Sequence, residues 1–507
     1  MSILLGLDIG TTSTIGILVD CRGGVLALAS RPSELLSRHP NWAEEDPDLW
    51  WANVCAIVPE LINAGGIRAS DIVGVGVTGM VPTLILLDDD GLAIRHSIQQ
   101  NDARAIDEID EMARDVDADA FLALTGGSIN QQIIAPKLRW LERHEPGNRD
   151  RTHTITGSYS YITARLCGTL TVERNWALEA GFMDLATGAL DDRLLAHAGL
   201  APGTLPPLHA SHDVVGEVTS DAASQTGLAA GTPVVAGCAD HIASAFVAGA
   251  SRDGDLVVKY GGAGDILLSC TSPVTDPRMF IDYHIVPGLH FSNGCMAASG
   301  SVLNWIATHL AKAEAGQAAQ EGRSVHALLD AMAVDLPPGS GGVLLLPYFL
   351  GEKTPLNDPH ARGTLTGLGL HHGLAHVWRA ALESVAFGFR HHADVFGDMG
   401  LEITRVVACD GGAASDLWVQ ITADVLERPI ERLLDHPGSC LGAAYVAGMG
   451  VGVMDDWAGI KAYVATDRVF EPDGAASAVY REAYGLYREL YECLRSLYPR
   501  VGQLPAA

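Results

Sequence analysis

The chain has 507 residues and a formal net charge of −28, and 48% of its residues are hydrophobic. That length exceeds what one hydrophobic core ordinarily serves, so at least two domains are expected. Because no run rich in Lys and Arg offsets the negative charge, nucleic acid and anionic membranes are poor candidates for partners.

Nine cysteines are scattered along the chain, and none forms a CxxC pair or a zinc-ligand spacing. This usage is typical of reduced thiols. The first residues carry no basic stretch of the kind that opens a signal peptide, and no apolar run approaches the length of a membrane span. The sequence therefore predicts a cytoplasmic protein.

The chain begins with a predicted β-hairpin. Residues 3–7 and 15–19 are apolar like buried strands, and residues 8–13 between them are rich in glycine and hydroxyl groups. Backbone amides and hydroxyls at such a tip suit phosphate oxygens, and a neighbouring acid suits Mg²⁺. An ordinary hairpin turn explains the pattern equally well. The candidates are Asp8, Gly10, Thr11, Thr12 and Ser13.

Two further glycine-rich turns follow later in the chain. Residues 260–265 lie between predicted strands at 256–259 and 266–269, which repeats the pattern of the first hairpin. Residues 410–415 lie between a predicted strand and a predicted helix at 416–426, a usual place for nucleotides in α/β sheets. Each turn alone is also explained as a simple connection. The repeat suggests, without deciding it, two domains of related topology.

Asp240 stands between a short apolar strand, 233–237, and a predicted helix, 242–250. A carboxylate in this position can take a proton from a substrate hydroxyl. It can equally cap the helix, a role that Asp fills well. The residue and its spacing alone favour the cap.

Taken together, these motifs resemble the FGGY carbohydrate kinases of the actin-like ATPase superfamily, through nearly the whole chain. The long stretch from residue 363 to residue 383 looks like the family's second signature and is the most specific part. The shorter stretches that resemble family motifs are residues 7–13 (first phosphate motif), 137–142 (first signature), and 410–412 with 441–444 (adenosine side).

The resemblance implies an α/β fold with two actin-like (ribonuclease H-like) domains, residues 1–248 and 249–507, and a catalytic cleft between them. It implies ATP and Mg²⁺ as cofactors and Asp240 as the general base. The implied metal ligands are Asp8 and Asp240. The implied ATP-binding residues are Gly10, Thr11, Thr12, Ser13, Gly261, Gly262, Gly411, Gly412, Ala413 and Ser415, and the implied substrate-binding residues are Val81, Asp102, Gln132, Asp240 and His241.

Within the family the chain is most similar to xylulokinases, because residues 41–47, 101–104 and 351–359 resemble their segments. The resemblance therefore implies phosphorylation of a terminal hydroxyl of a pentulose such as D-xylulose. Pro82 stands where xylulokinases usually have a histidine that contacts the sugar. Ile15 and the pair Gly262-Ala263 replace a cation and two hydroxyl side chains near the phosphates.

These departures keep alternatives open. The first is an FGGY kinase for ribulose, erythritol, glycerol or an autoinducer-type diol. The others are an actin-like ATPase and a non-catalytic sugar sensor. The expected partner is a small sugar or polyol, with neither nucleic acid nor membrane, and a homodimer is an open alternative to a single chain.

Overall fold

The computed structural model describes residues 2–434 and 436–503. Two seven-stranded mixed sheets, one in each half of the chain, carry helices and give the α/β architecture that the sequence predicts. The strands of the first sheet are β1 Ile3–Ile9, β2 Ser13–Asp20, β3 Gly24–Pro32, β4 Ile72–Gly79, β5 Val214–Glu217, β6 Pro233–Val235 and β7 Cys238–Ala239. Those of the second are β8 Asp255–Tyr260, β9 Gly264–Cys270, β10 Phe280–Tyr283, β11 His290–Met296, β12 Arg405–Cys409, β13 Ile430–Leu433 and β14 Thr466–Phe470.

The two sheets share one topology. In the first, β1, β2 and β3 form an antiparallel meander, and β4 lies parallel to β1 on its other side. In the second, β8, β9 and β11 pair antiparallel in the equivalent positions, β10 adds a strand beyond β11, and β12 lies parallel to β8. The repeated hairpin seen in the sequence is therefore the start of a repeated sheet.

The helices of the described residues, numbered in chain order, cover both sheets. They are α1 Pro47–Ala64, α2 Ile106–Asp115, α3 Ala118–Thr125, α4 Ile134–His144, α5 Pro146–Asp150, α6 Ser158–Cys167, α7 Arg174–Glu179, α8 Asp192–His197, α9 Ser220–Thr226, α10 Asp240–Val247, α11 Gly300–His309, α12 Lys312–Glu321, α13 Val325–Ala333, α14 Leu374–Asp398, α15 Asp416–Leu426, α16 Ser439–Gly450, α17 Gly474–Leu494 and α18 Tyr498–Val501. None of these helices has the length and apolar character needed to cross a membrane.

Five short strand pairs lie outside the two sheets, and four short 3-10 helices (Ala69–Asp71, Ser340–Gly342, Gly411–Ala414 and Trp457–Ala462) occur in the described residues. The strand pairs are Glu44–Glu45 with Ser97–Ile98, Ile85–Leu87 with Thr154–Thr156, Val172–Glu173 with Leu208–His209, Met183–Asp184 with Ala189–Leu190, and Leu344–Leu346 with Thr364–Thr366.

Helix α16 joins the two halves of the chain, because it packs on β1 and β4 of the first sheet. Glycines make this approach possible: a Cβ atom on Gly6 would lie 1.9 Å from the carbonyl oxygen of Cys440, and one on Gly76 would lie 2.1 Å from that of Ala443. The predicted boundary between residues 248 and 249 lies just after α10. This domain boundary stays a prediction. Helix α16 follows the boundary in sequence but adds residues to the hydrophobic core of the first half.

Candidate active site

A small cavity of about 240 Å³ lies between the two sheets. Its walls come from the tip of the first hairpin, the loop after β4, the segment between α3 and α4, the start of α10, and strands β9 to β11. Neutral polar groups line it beside carboxylates, which suits a small polyhydroxy molecule. The predicted residues that line it are Thr11, Val81, Gln132, Asp240 and His241.

Asp240 is the first residue of α10 and does not cap it. Ala239 occupies the cap position, and no side chain caps this helix end. Asp240 Oδ1 instead accepts a hydrogen bond from the backbone N–H of His241, the next residue, at 2.6 Å. With 35% of its side chain exposed, the Asp240 carboxylate faces the cavity. The cap role that its position in the sequence favoured is therefore not the one observed.

Asp8 lies near the end of β1, behind the hairpin tip. Its Oδ2 accepts a hydrogen bond from the Ser439 hydroxyl at 2.7 Å, at the start of α16. Its Oδ1 is buried without a hydrogen-bond partner in the described structure. Burial, and then the negative charge of Asp240, raise the pKa of Asp8 to about 7. An unpaired buried carboxylate oxygen of this kind fits a hard cation such as Mg²⁺.

Lys259 supplies positive charge close to these acids. Its Nζ lies 3.9 Å from Asp410 Oδ2, at the end of β12. Burial opposes its charge, but Asp410, Asp265 and Asp240 together raise the pKa of Lys259, so it stays protonated. Lys259 also lowers the pKa of Asp8. One buried cation therefore sits among four carboxylates between the sheets.

A second cavity, of about 500 Å³, lies beside the second hairpin. It is lined by the loop after β12 and by side chains from α11, α13 and α14. Asp330 organises this wall, since it accepts hydrogen bonds from Trp378 Nε1 and from the Ser415 hydroxyl, both at 2.7 Å. The predicted ATP-binding residues that line the cavity are Gly261, Gly262, Gly411, Gly412 and Ser415.

The start of α11 fixes the tip of the second hairpin. The Gly300 amide donates to the carbonyl of Gly261 at 2.9 Å, and the amides of Ser299 and Ser301 donate to that of Gly262 at 2.9 and 3.1 Å. A Cβ atom on Gly300 would lie 2.7 Å from the Gly261 oxygen. Because helix amides hold its carbonyls, the loop keeps one shape beside the second cavity.

Four titratable side chains cluster on one wall of the first cavity. His241 Nε2 lies 3.3 Å from Asp282 Oδ2 and 3.9 Å from Glu179 Oε1, and Nδ1 lies 3.6 Å from Asp240 Oδ1. Burial lowers the pKa of His241, but the three carboxylates outweigh burial and raise it well above its usual value. Burial, and then Asp282, raise the pKa of Glu179 well above its usual value.

Six predicted residues line neither cavity: Asp8, Gly10, Thr12 and Ser13 at the first hairpin, and Asp102 and Ala413 elsewhere. The Asp102 side chain is fully buried, where it pairs with Arg104 at 2.7 Å and accepts the Ala43 amide at 2.6 Å. The predicted substrate contact of Asp102 is therefore not supported, because its oxygens already hold a neighbouring loop. Ala413 is also fully buried and lines neither cavity.

Several residues of the site were not predicted from the sequence. Lys259 precedes the second glycine-rich turn and Asp265 is its last residue, and these positions were an available signal. Lys353 and Trp378 lie in the segments 351–359 and 363–383 that resemble family motifs, which were also available signals. The others follow no motif: Glu179, Asp282 and Asn293 around the first cavity, Asn304, His326 and Asp330 around the second, and Ser439 beside Asp8. They meet only through the fold.

In comparison with known proteins, both halves of the chain match models of one protein family. Residues 3–247 match the model of the N-terminal domain of the FGGY family of carbohydrate kinases, and residues 271–451 match that of its C-terminal domain. Xylulose kinase of Bacillus subtilis is 28% identical over 454 residues, which are 89% of each chain. Glycerol kinase of Nocardia farcinica is 30% identical, over 92% of this chain and 93% of its own length.

Among solved structures, xylulose kinase from Rhodospirillum rubrum superposes with a TM-score of 0.93. It is 49% identical, and the match covers 98% of this chain and 99% of that one. These likenesses confirm the predicted fold class, an actin-like pair of α/β domains.

Proposed function

Because the chain belongs to the FGGY family of carbohydrate kinases, and so is a sugar phosphotransferase, we propose that it transfers the γ-phosphoryl group of ATP to a terminal hydroxyl of D-xylulose. The observation that carries the proposal is the Asp240 carboxylate, which does not cap α10 and instead faces a small polar cavity between the two hairpins. The 49% identity with a xylulose kinase supports this sugar over the alternatives.

Asp240 acts as the general base in this proposal. The substrate lies in the first cavity with one hydroxyl against the Asp240 carboxylate, near Val81, Gln132 and His241. Asp240 accepts the hydroxyl proton while that oxygen attacks the γ-phosphorus. A positioned base of this kind contributes about 10²- to 10⁴-fold to the rate.

The nucleotide lies in the second cavity, with its phosphates directed at the two hairpin tips. Gly411, Gly412 and Ser415 border the nucleoside, and the backbone at Gly261 and Gly262 borders the phosphates. The first tip contributes Gly10, Thr11, Thr12 and Ser13 from the other side. Lys259 adds positive charge where negative charge develops during transfer.

Asp8 and Asp240 are the carboxylates that would hold Mg²⁺, and Asp8 Oδ1 is the unpaired oxygen that fits it. The ion, when bound, neutralises charge on the phosphate oxygens during transfer. Ser439 orients Asp8 through its hydrogen bond, which leaves the other oxygen free.

The cytoplasm, where ATP and Mg²⁺ are available, is the compartment we propose, and a homodimer is an open alternative to a single chain.

A second candidate substrate is a shorter polyol such as glycerol, which the likeness to a glycerol kinase favours. Pro82 also leaves the cavity without the histidine expected for a xylulose site. The rival functions without sugar phosphorylation are an actin-like ATPase and a sugar sensor.

The test is a coupled assay of ADP release over pentuloses, hexuloses and polyols, with the phosphorylated product identified by mass spectrometry. We expect D-xylulose to give the highest kcat/KM. A higher kcat/KM for glycerol or erythritol would change the substrate and keep the reaction. ATP hydrolysis that no sugar or polyol stimulates would refute the kinase proposal.

A further inference from the structure

One wall of the first cavity contains an acid–imidazole cluster, formed by Glu179, His241 and Asp282. Glu179 is the last residue of α7, His241 is the second residue of α10, and Asp282 lies on β10 of the second sheet. The cluster therefore joins both halves of the chain directly beside Asp240.

The fold holds Asp282 firmly in place. The Asn175 side chain forms two hydrogen bonds with the backbone of Tyr283, donating at 2.9 Å and accepting at 2.8 Å. The Tyr283 hydroxyl donates to the carbonyl of Leu185 at 2.7 Å. Three hydrogen bonds thus attach the end of β10 to the first half of the chain and hold the backbone next to Asp282 in place.

The hydrogen-bonding capacity of the cluster is used unevenly. Asp282 Oδ2 accepts from Asn293 Nδ2 and lies in hydrogen-bond contact with His241 Nε2. Glu179 Oε1 is buried, lies 3.9 Å from His241 Nε2, and has no hydrogen-bond partner among the described residues. A buried carboxylate oxygen left unpaired costs free energy, and a ligand that supplies a donor removes that cost.

The chemistry of the wall favours a hydroxyl as the missing partner. A hydroxyl both donates and accepts, so it pairs with a carboxyl group in either protonation state. Neutral polar side chains line the same cavity, among them Ser128, Asn130 and Gln132. A divalent cation is the competing ligand, since the three side chains can bring their ligand atoms within 4.8 Å of one another. Asp282 Oδ2 already has two partners, which disfavours the cation.

We infer that Glu179 binds a second hydroxyl of the sugar, distinct from the one that faces Asp240, and so determines which polyols are substrates. His241 and Asp282 lie beside Glu179 and form the rest of that wall. The inference rests on the proposed function, because it assumes that the first cavity holds the sugar. A site built to pair with a substrate hydroxyl discriminates strongly against analogues that lack it.

The test compares wild type, Glu179→Ala and Glu179→Gln in steady-state kinetics and in calorimetric titrations with D-xylulose alone. We expect Glu179→Ala to raise both KM and Kd for D-xylulose about 10- to 100-fold, because the variant loses a hydrogen bond and leaves the sugar hydroxyl without a partner. The KM for ATP and the melting temperature should stay near wild type. Glu179→Gln keeps an acceptor oxygen and should recover most of the loss. Glu142→Ala, at an exposed position on α4, is the matched control.

The 1-, 3- and 4-deoxy analogues of D-xylulose identify the contacted hydroxyl. For one of them, wild type and Glu179→Ala should have equal KM. An unchanged KM for D-xylulose in Glu179→Ala, or an equal increase for all three analogues, would overturn the inference while leaving the kinase proposal intact. Tight Zn²⁺ binding that Glu179→Ala abolishes would overturn it in favour of a metal site. Failure of the wild type to phosphorylate any sugar would instead refute the proposed function.

Discussion

Different side chains of the site carry different parts of the proposed reaction. Asp8 keeps one carboxylate oxygen unpaired while Ser439 holds the other, and Asp240 leaves its helix end uncapped. Lys259 lies among the acids and limits their mutual repulsion. Each of these polar groups has fewer hydrogen-bond partners than an ordinary buried side chain, as expected of groups that bind a ligand.

The role of Asp8 is tested by Asp8→Asn. The substitution keeps the size of the side chain and removes the negative charge that we assign to Mg²⁺. We expect the Mg²⁺ concentration for half-maximal activity to rise about 10-fold or more, because Mg²⁺ prefers charged oxygen ligands. The measurement is initial rate against free Mg²⁺ at saturating ATP and sugar. Asp253→Asn, on a surface turn of the second half, serves as the control. An unchanged Mg²⁺ requirement would remove Asp8 from the metal site.

Secondary-structure elements place these residues. The two hairpins, β1–β2 and β8–β9, occupy equivalent positions in two sheets of the same topology. Helix α16 packs on the first sheet and also against α10, where a Cβ on Gly442 would lie 2.8 Å from the carbonyl oxygen of Ala243. Helix α10, which carries Asp240, therefore packs against α16, and hydrogen bonds from the start of α11 hold the second hairpin.

The second hairpin provides a prediction at this scale. In Gly300→Ala the new methyl group would lie 2.7 Å from the Gly261 oxygen, so the loop or the helix must shift. We expect kcat/KM for ATP to fall about 10-fold or more, since small displacements of positioning groups have large effects. The Kd for D-xylulose, measured by calorimetry, should not change. Gly316→Ala in α12 is the matched control, because nothing lies within 4 Å of its new methyl group. Equal kinetics in both variants would contradict the role of this contact.

Features that depend on local sequence patterns could be predicted, and contacts that form only in the folded chain could not. Alternating apolar runs and glycine-rich turns predict both hairpins, and the helix predicted at 416–426 has those bounds in the structure. Asp102 shows the limit: its motif is visible in the sequence, but its burial against Arg104 and Ala43 is not. Glu179 and Asp282 are about 100 residues apart and meet only after the two halves dock. No local pattern encodes such a meeting.

The whole molecule depends on how its halves are joined. The first hydrophobic core includes residues of α16 as well as residues of the first sheet, so the two halves share buried surface. Between them lie the first cavity and the cluster of acids around Lys259. A cleft built in this way can shield phosphoryl transfer from water when it closes on its substrates.

The junction is tested by Gly76→Ala. A Cβ at this position would lie 2.1 Å from the carbonyl oxygen of Ala443, and this backbone contact cannot yield without moving α16 or β4. Overpacking of this kind costs about 1–3 kcal/mol, which lowers the melting temperature of a domain of this size by about 2–12 °C. Gly24→Ala is the control, because its methyl group meets nothing within 4 Å. Equal melting temperatures by differential scanning calorimetry would contradict the packing described for α16.

The central claim is that the cavity between the sheets phosphorylates a sugar hydroxyl with Asp240 as the base. The most direct measurement is sugar-dependent ADP release by wild type and by Asp240→Asn, with the melting temperature of each recorded. We predict D-xylulose-dependent turnover by the wild type, and a kcat about 10²- to 10⁴-fold lower in the folded variant. Turnover by Asp240→Asn at the wild-type rate would contradict the account.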